Sequence, residues 1–360
     1  MAKNKPVKDK EEVSKEEEDV IELNLNFSKT HAFILIALLA GFGLGYATHM
    51  LTNPQATGAA VSVPSNTAGK VNLKVINDPD CSVCDPTGII ASLESNVGLN
   101  LNVQTVDYDS TEGKRLMQLF NLRGVPAYVF DTTIEDSEGY QTLSQYLSKQ
   151  GNDYLLSVSP SKFTEPIADW TGTKPTVMLF VMSQCPFGVQ AEKAAKPLID
   201  AFGDEIDFQV HYIATDNGDG TFGSLHGQNE VNGDLRQVCI QKYFPDKFWD
   251  HLLCVEPNYT QLDSVWEGCA TQNGIDVETI KTCASGSEGA QLLKDSIEVT
   301  NDFGATGSPT TYVVDLDGML YRTDVRSTAQ VQALLCGIDP DMTGCDAVFS
   351  ESTATASGGC

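Results

Sequence analysis

Two stretches of the sequence place cysteine where it could exchange electrons. "DPDCSVCD" sets Cys81 and Cys84 two residues apart, after the strand-like run "VNLKVIND" and before "PTGIIASLESN", which has helical spacing. Two intervening residues let the sulfurs close a disulfide that an incoming thiolate can reopen, and a helix N-terminus stabilises a thiolate through its dipole and free N–H groups. Asp85 and Pro86 read as N-cap and first helical residue, which sets Cys81 slightly ahead of that dipole. A static local disulfide or half of a metal site is the alternative for this pair. "SQCPFG" sets a single cysteine, Cys185, between the run "PTVMLFVM" and a helix, with Gly188 where a second cysteine at the same spacing would stand. One thiolate can attack a disulfide and form a mixed disulfide, but it cannot release the product without a second thiol.

The other cysteines read as scaffolding. Cys239, Cys254, Cys269 and Cys283 all fall in helix-like stretches, and four cysteines allow three pairings that sequence does not separate; two structural disulfides are expected. Cys336 and Cys345 flank the turn-rich "GIDPDMTG", and closing that loop would contribute roughly 2 to 3 kcal/mol in the chain-entropy model. Cys185 and Cys360 are then unmatched. Cys360 ends "ESTATASGGC", read as a flexible tail over 347–360, and could reach another chain, Cys185, or the resolving role that Gly188 vacates; an incidental terminal cysteine is the other reading. No metal site or cofactor is expected. "DNGDGTFG" (Asp216 to Gly223) lacks the acidic spacing of a calcium loop and reads as a glycine-rich turn, and His226 could tune a nearby thiolate or simply be hydrogen-bonded. Asn258-Tyr259-Thr260 is a glycosylation sequon only in a host that uses it.

The elements that must position these residues follow from hydrophobic periodicity. From Lys70, strand "VNLKVIND", helix "PTGIIASLESN", strand "LNLNVQTVDYD", helix "TEGKRLMQLF" and strand "PAYVFD" make βαβαβ, an α/β layer over 70–170. A second βαβ start runs from Lys174: strand "PTVMLFVM", a helix from Phe187 to Phe202 with one apolar face and a kink expected at Pro197, and strand "IDFQVHYIA". Helix-like stretches interrupt this second unit (171–346) over about 227–301, and sheet resumes after "GSP" with "TTYVVD" and "LYRTD", followed by the helix "TAQVQALLCG".

The chain has 360 residues, 41% of them hydrophobic, which is long enough for two or three domains with real cores. A formal net charge of −26 excludes nucleic acid and anionic lipid surfaces as general partners. Ten cysteines with five histidines and one two-residue cysteine spacing point to an oxidising, extracytoplasmic location rather than to zinc. The N-terminus agrees: a charged segment (1–30) precedes "AFILIALLAGFGLGYA", read as one transmembrane helix over 31–51, and lysines before it but none after it until Lys70 put the N-terminus in the cytoplasm. The small, polar, proline-bearing 52–69 reads as a tether. A cleaved signal peptide is the rival to the anchor and leaves the compartment unchanged.

On these residues the chain resembles the thioredoxin superfamily. Residues 70 to about 170 resemble a thioredoxin-like domain. Residues 171–346 are similar to the DsbA-like branch, with its inserted helical domain. "CPFGVQAEKAAKPLIDAF", "GSPTTYVV" and "CGIDPDMTGC" resemble membrane-anchored prokaryotic thioredoxin-fold proteins, and "LHGQNEV" is similar to the gamma-interferon-inducible lysosomal thiol reductases. The resemblance implies an α/β protein of two tandem thioredoxin-like folds that exchanges thiols and disulfides on proteins outside the cytoplasm. It implies that Cys81 and Cys185 attack, that Cys84 resolves, and that Pro126 in "RGVPAYVF" and Pro309 in "GSPTTYVV" are cis-prolines on the substrate side. Gly188 departs from the family's cysteine, so a monothiol site and a retired binding platform both remain open for the second unit. A quinone-linked disulfide-generating membrane enzyme is the implied recycling partner. A reductive electron carrier and a non-enzymatic tethered module for thiol proteins are the alternatives.

Overall fold

The computed structural model describes residues 69–349 together with Cys360. The charged leader, the expected membrane anchor and nearly all of the tether lie outside those residues. Among the described ones, no helix is long and apolar enough to cross a membrane.

The N-terminal sheet is built on β1 (Val71–Asn77), whose buried positions largely alternate as a pleated strand requires. It pairs in parallel with β2 (Leu101–Asp107) from Val71↔Leu101 to Asn77↔Asp107, the crossover being α1 (Thr87–Ser95). After α2 (Thr111–Leu119) and the two-residue β3 (Gly124–Val125), β4 (Ala127–Phe130) lies antiparallel on the other side of β1. The stretch 132–163, where periodicity predicts nothing, holds the single turn α3 (Tyr140–Leu143), the hairpin β5 (Leu147–Gln150) and β6 (Asp153–Leu156), and β7 (Lys162–Phe163). These pieces are too short for a period to register. The sheet order is β2-β1-β4-β6-β5. Leu73, Val75, Leu93, Tyr128 and Phe130 fill one face, and Ile76, Leu116, Val129 and Cys84 fill the other.

The second sheet centres on β8 (Thr176–Val181), buried at every position, as an apolar run covered on both faces should be. It pairs in parallel with β9 (Asp207–Tyr212) through α4 (Pro186–Phe202), which runs on past Pro197 and buries Val189, Ala191, Ala195, Leu198 and Phe202. A small hairpin, β10 (Thr215–Asp216) and β11 (Phe222–Gly223), turns through Gly218 and Gly220, both at positive φ. Five helices follow: α5 (Gln228–Tyr243), α6 (Phe248–Val255), α7 (Leu262–Gln272), α8 (Val277–Ser285) and α9 (Ser287–Asp302). Then β12 (Thr310–Val314) and β13 (Leu320–Thr323) complete the sheet, and α10 (Thr328–Ile338) packs on it.

The second sheet has the order β3-β7-β13-β12-β8-β9, so β3, from the N-terminal half, is joined to it through β7. Lys162 is the hinge of that join, paired with Val125 on one side and Tyr321 on the other. Gly124 permits the approach, because a Cβ there would stand 2.6 Å from the Lys162 carbonyl oxygen.

Candidate active site

The first cysteine pair sits on a turn between β1 and α1. Cys81 N–H donates to the Asp78 carbonyl and Cys84 N–H to the Cys81 carbonyl, and the two sulfurs are bonded with Cα atoms 5.4 Å apart. The expected cap is displaced: α1 starts at Thr87 with Pro86 in the cap position, while the Asp85 carboxylate accepts the Thr87 N–H at 2.9 Å. Proline has no side-chain acceptor with which to cap, so the Asp85 carboxylate takes the first helical N–H, and both cysteines lie ahead of the helix. Cys81 is partly exposed and Cys84 is buried. An incoming thiolate therefore meets Cys81 first. The Val125–Pro126 peptide bond is cis, and the Val125 carbonyl oxygen lies 3.8 Å from the Cys84 sulfur, placed to accept from the thiol of a reduced Cys84.

The backbone edge beside Pro126, expected to face substrate, is taken by the chain itself. Ser161 N–H donates to the Val125 carbonyl at 2.8 Å and Thr164 N–H to the Arg123 carbonyl at 2.9 Å. The Lys162 ammonium reaches the buried Asp78 carboxylate at 2.6 Å. Burial pushes the Asp78 carboxyl up, but the Lys162 hydrogen bond and the Asp80 N–H overcome it and leave the group below the usual range. A cavity of about 270 Å³ opens on the Pro126 side, lined by Leu122, Leu155, Pro160 and Phe163 among others.

Cys185 occupies the N-cap of α4 with Pro186 as the first helical residue, and its side chain is completely buried. The second cis peptide bond, Ser308–Pro309, faces it, with the Ser308 carbonyl oxygen 3.5 Å from the sulfur. The Ser308 hydroxyl oxygen accepts the Met182 N–H at 2.9 Å. A Cβ built on Gly188 would lie 2.7 Å from that hydroxyl oxygen and 3.0 Å from the Met182 carbonyl oxygen. The place of a second cysteine is thus already filled. The bond that Cys185 makes is to Cys360, with Cα atoms 5.9 Å apart.

Two carboxyl groups on α5 hold the loop that leads into Cys185. Glu230 accepts the Gln184 N–H at 2.7 Å, and Asp234 accepts the Ser183 hydroxyl at 2.6 Å. His226 is bonded through Nδ1 to Glu230 at 2.9 Å, which leaves it a partner of the clamp. Burial pushes the Asp234 carboxyl well up, against the Ser183 hydrogen bond. Sequence reasoning singled out His226 but missed Glu230, Asp234 and Ser308. The signal was present for the first two, since Glu230 and Asp234 stand four residues apart on one face of α5.

The four cysteines of the helical layer pair as Cys239–Cys283 and Cys254–Cys269, and Cys336 pairs with Cys345. No cysteine is free among the described residues. No cluster there could hold a metal ion.

Residues 176–273, from the first residue of β8 to just past α7, match the family described as gamma interferon inducible lysosomal thiol reductase (GILT). A search of the curated proteins returns no match. Similar solved structures include the oxidoreductase NmDsbA1 from Neisseria meningitidis, at 14% identity over 50% of this chain and 91% of that one, TM-score 0.36. Pseudomonas aeruginosa DsbA is similar at 13% identity over 48% and 88%, TM-score 0.36. The thiol-disulfide exchange protein alpha-DsbA2 from Wolbachia pipientis is similar at 14% identity over 45% and 82%, TM-score 0.36. The thiol reductase match lies on the βαβ start of the second sheet, β8, α4 and β9, with Cys185 directly after its first strand, and on the helices that follow.

Proposed function

We propose that the chain is a membrane-tethered, extracytoplasmic thiol–disulfide oxidoreductase acting on protein thiols, built from two tandem thioredoxin-like units over 70–170 and 171–346. The observation that carries this reading is the Cys81–Cys84 disulfide, half open to solvent at Cys81 and closed against the cis-proline loop at Cys84. Exchange runs by displacement. A client thiolate attacks the Cys81 sulfur, the Cys81–Cys84 bond breaks, and Cys84 leaves with the electron pair. A second client thiol then attacks the mixed disulfide at the client's sulfur, so the client gains a disulfide and Cys81 is left reduced. Run backwards, the same steps reduce a client disulfide, with Cys84 resolving the adduct on Cys81.

Cys84 is buried beside the Val125 carbonyl while Cys81 is partly exposed, so Cys81 is the nucleophile of the reduced pair. Recycling requires an external electron acceptor, for which a quinone-linked disulfide-generating membrane enzyme is the proposed partner. The test is ribonuclease refolding and insulin reduction by the full chain. Cys81→Ser should abolish the Cys81-dependent turnover, and Cys84→Ala should trap a client on Cys81. Full activity in Cys81→Ser and Cys185→Ser alike would refute this assignment of the site, and a parent chain with no activity would leave a non-enzymatic binding module instead.

A further inference from the structure

We infer that Cys185 and Cys360 form a second redox-active pair, in which Cys360 supplies the resolving thiol that no residue on α4 can supply. This rests on the oxidoreductase reading and adds a second site to it.

Three observations converge. Cys185 has the placement of a nucleophile: it caps a 17-residue helix, whose N-terminal dipole stabilises a thiolate, and it faces the Ser308–Pro309 cis bond. The neighbouring helical position that would present a second sulfur is closed, because the Ser308 hydroxyl held by the Met182 N–H occupies the space a Gly188 side chain would need. The sulfur that does meet Cys185 is that of Cys360, 175 residues away in sequence. The other three pairs, Cys239–Cys283, Cys254–Cys269 and Cys336–Cys345, join helices or close a turn.

The burial asymmetry gives the pair a direction of opening. Cys185 is fully buried while Cys360 is partly exposed, so a reductant thiolate attacks the Cys360 sulfur and expels Cys185 as a thiolate. A thiol stabilised as thiolate is the better leaving group. With Cys360 released by a second reductant thiol, the Cys185 thiolate attacks one sulfur of a client disulfide, forming a mixed disulfide and releasing the first client thiolate. The Cys360 thiolate then attacks the Cys185 sulfur, re-forms the Cys185–Cys360 bond and expels the second client thiolate. Two electrons pass from the two cysteines to the client disulfide, and a dithiol reductant restores them.

The experiment uses the full chain carrying Cys81→Ser and Cys84→Ser, so that only the second site turns over, with a fluorogenic glutathione disulfide as substrate and dithiothreitol as reductant at about micromolar concentration, far below the effective concentration of a tethered thiol. This parent should turn over, and peptide mapping of its oxidised form should recover Cys185 joined to Cys360. Adding Cys360→Ser should slow turnover at least tenfold and accumulate glutathione on Cys185. Free glutathione should restore turnover only toward millimolar concentration, the order of the effective concentration that a tethered thiol supplies. Adding Cys185→Ser should remove both adduct and turnover. A parent without turnover, or a Cys360→Ser variant that matches the parent or carries no adduct on Cys185, overturns the inference. None of those results touches the Cys81–Cys84 site, whose own test substitutes Cys81 or Cys84 in a chain that keeps Cys185 and Cys360.

Discussion

Gly188→Ala is expected to destabilise the protein even though alanine is the better helix former. On propensity alone the change would stabilise α4 by up to about 1 kcal/mol. The new methyl, however, would lie 2.7 Å from the Ser308 hydroxyl oxygen and 3.0 Å from the Met182 carbonyl oxygen, both in a closed region beside β8. Overpacking of a filled site costs about 1–3 kcal/mol. If Ser308 rotates away to make room, the Met182 N–H loses the bond it makes at 2.9 Å and a buried donor is left unpaired, at about 1–3 kcal/mol. After the propensity gain is subtracted, the net expectation is a loss of roughly 1–2 kcal/mol, read as a lower midpoint in urea with an unchanged slope. Ser308→Ala removes the hydroxyl, so in that background Gly188→Ala should cost less than about 1 kcal/mol, a coupling on the order of 1–2 kcal/mol in a double-mutant cycle. A Gly188→Ala variant as stable as the parent, or additivity with Ser308→Ala, would refute the packing argument and with it the reason no cysteine stands at position 188.

Three further outcomes follow from the same geometry. Lys162→Met should cost about 3 kcal/mol at neutral pH, because it strands the buried Asp78 carboxylate; the depressed Asp78 value means that the ion pair's contribution is present above the ordinary carboxyl range and lost as pH falls, so the two proteins should converge in acid unfolding. Burial pushes Glu256 up from 4.5 to about 8, against the partial relief of Lys193 at 3.7 Å, so the folded chain holds a proton there that the unfolded chain has lost. Stability should therefore fall by a few kcal/mol between about pH 4.5 and 8, and Glu256→Gln should flatten that slope in a pH series of urea titrations. Replacing both members of the Cys239–Cys283 pair, whose 44-residue separation closes a long loop, should cost about 4 kcal/mol in the chain-entropy model, measured by thermal unfolding.

Much of the scaffold was legible because its long elements announce their period. The apolar face of α4, the uniform run of β8 and the alternation of β1 fix where Cys81 and Cys185 stand, and both prolines before late strands are cis as the resemblance implied. What stayed hidden depends on contacts between distant residues. The two-residue strands β3 and β7 carry no local signal, yet their pairing fills the edge beside Pro126. Ser308 acquires its role only when β12 brings it against Met182, 126 residues away in the chain. Disulfide partners were open for the same reason, since four cysteines on separate helices declare their pairing only once the helices pack.

The most direct test of thiol exchange is to equilibrate the full chain in a series of glutathione redox ratios and count, by mass tagging of free thiols, which cysteines open while the fold stays intact. The account predicts that Cys81 and Cys84 open together, and Cys185 with Cys360, whereas Cys239–Cys283, Cys254–Cys269 and Cys336–Cys345 remain closed. A Cys81–Cys84 bond that stays closed at every ratio that leaves the protein folded would contradict it.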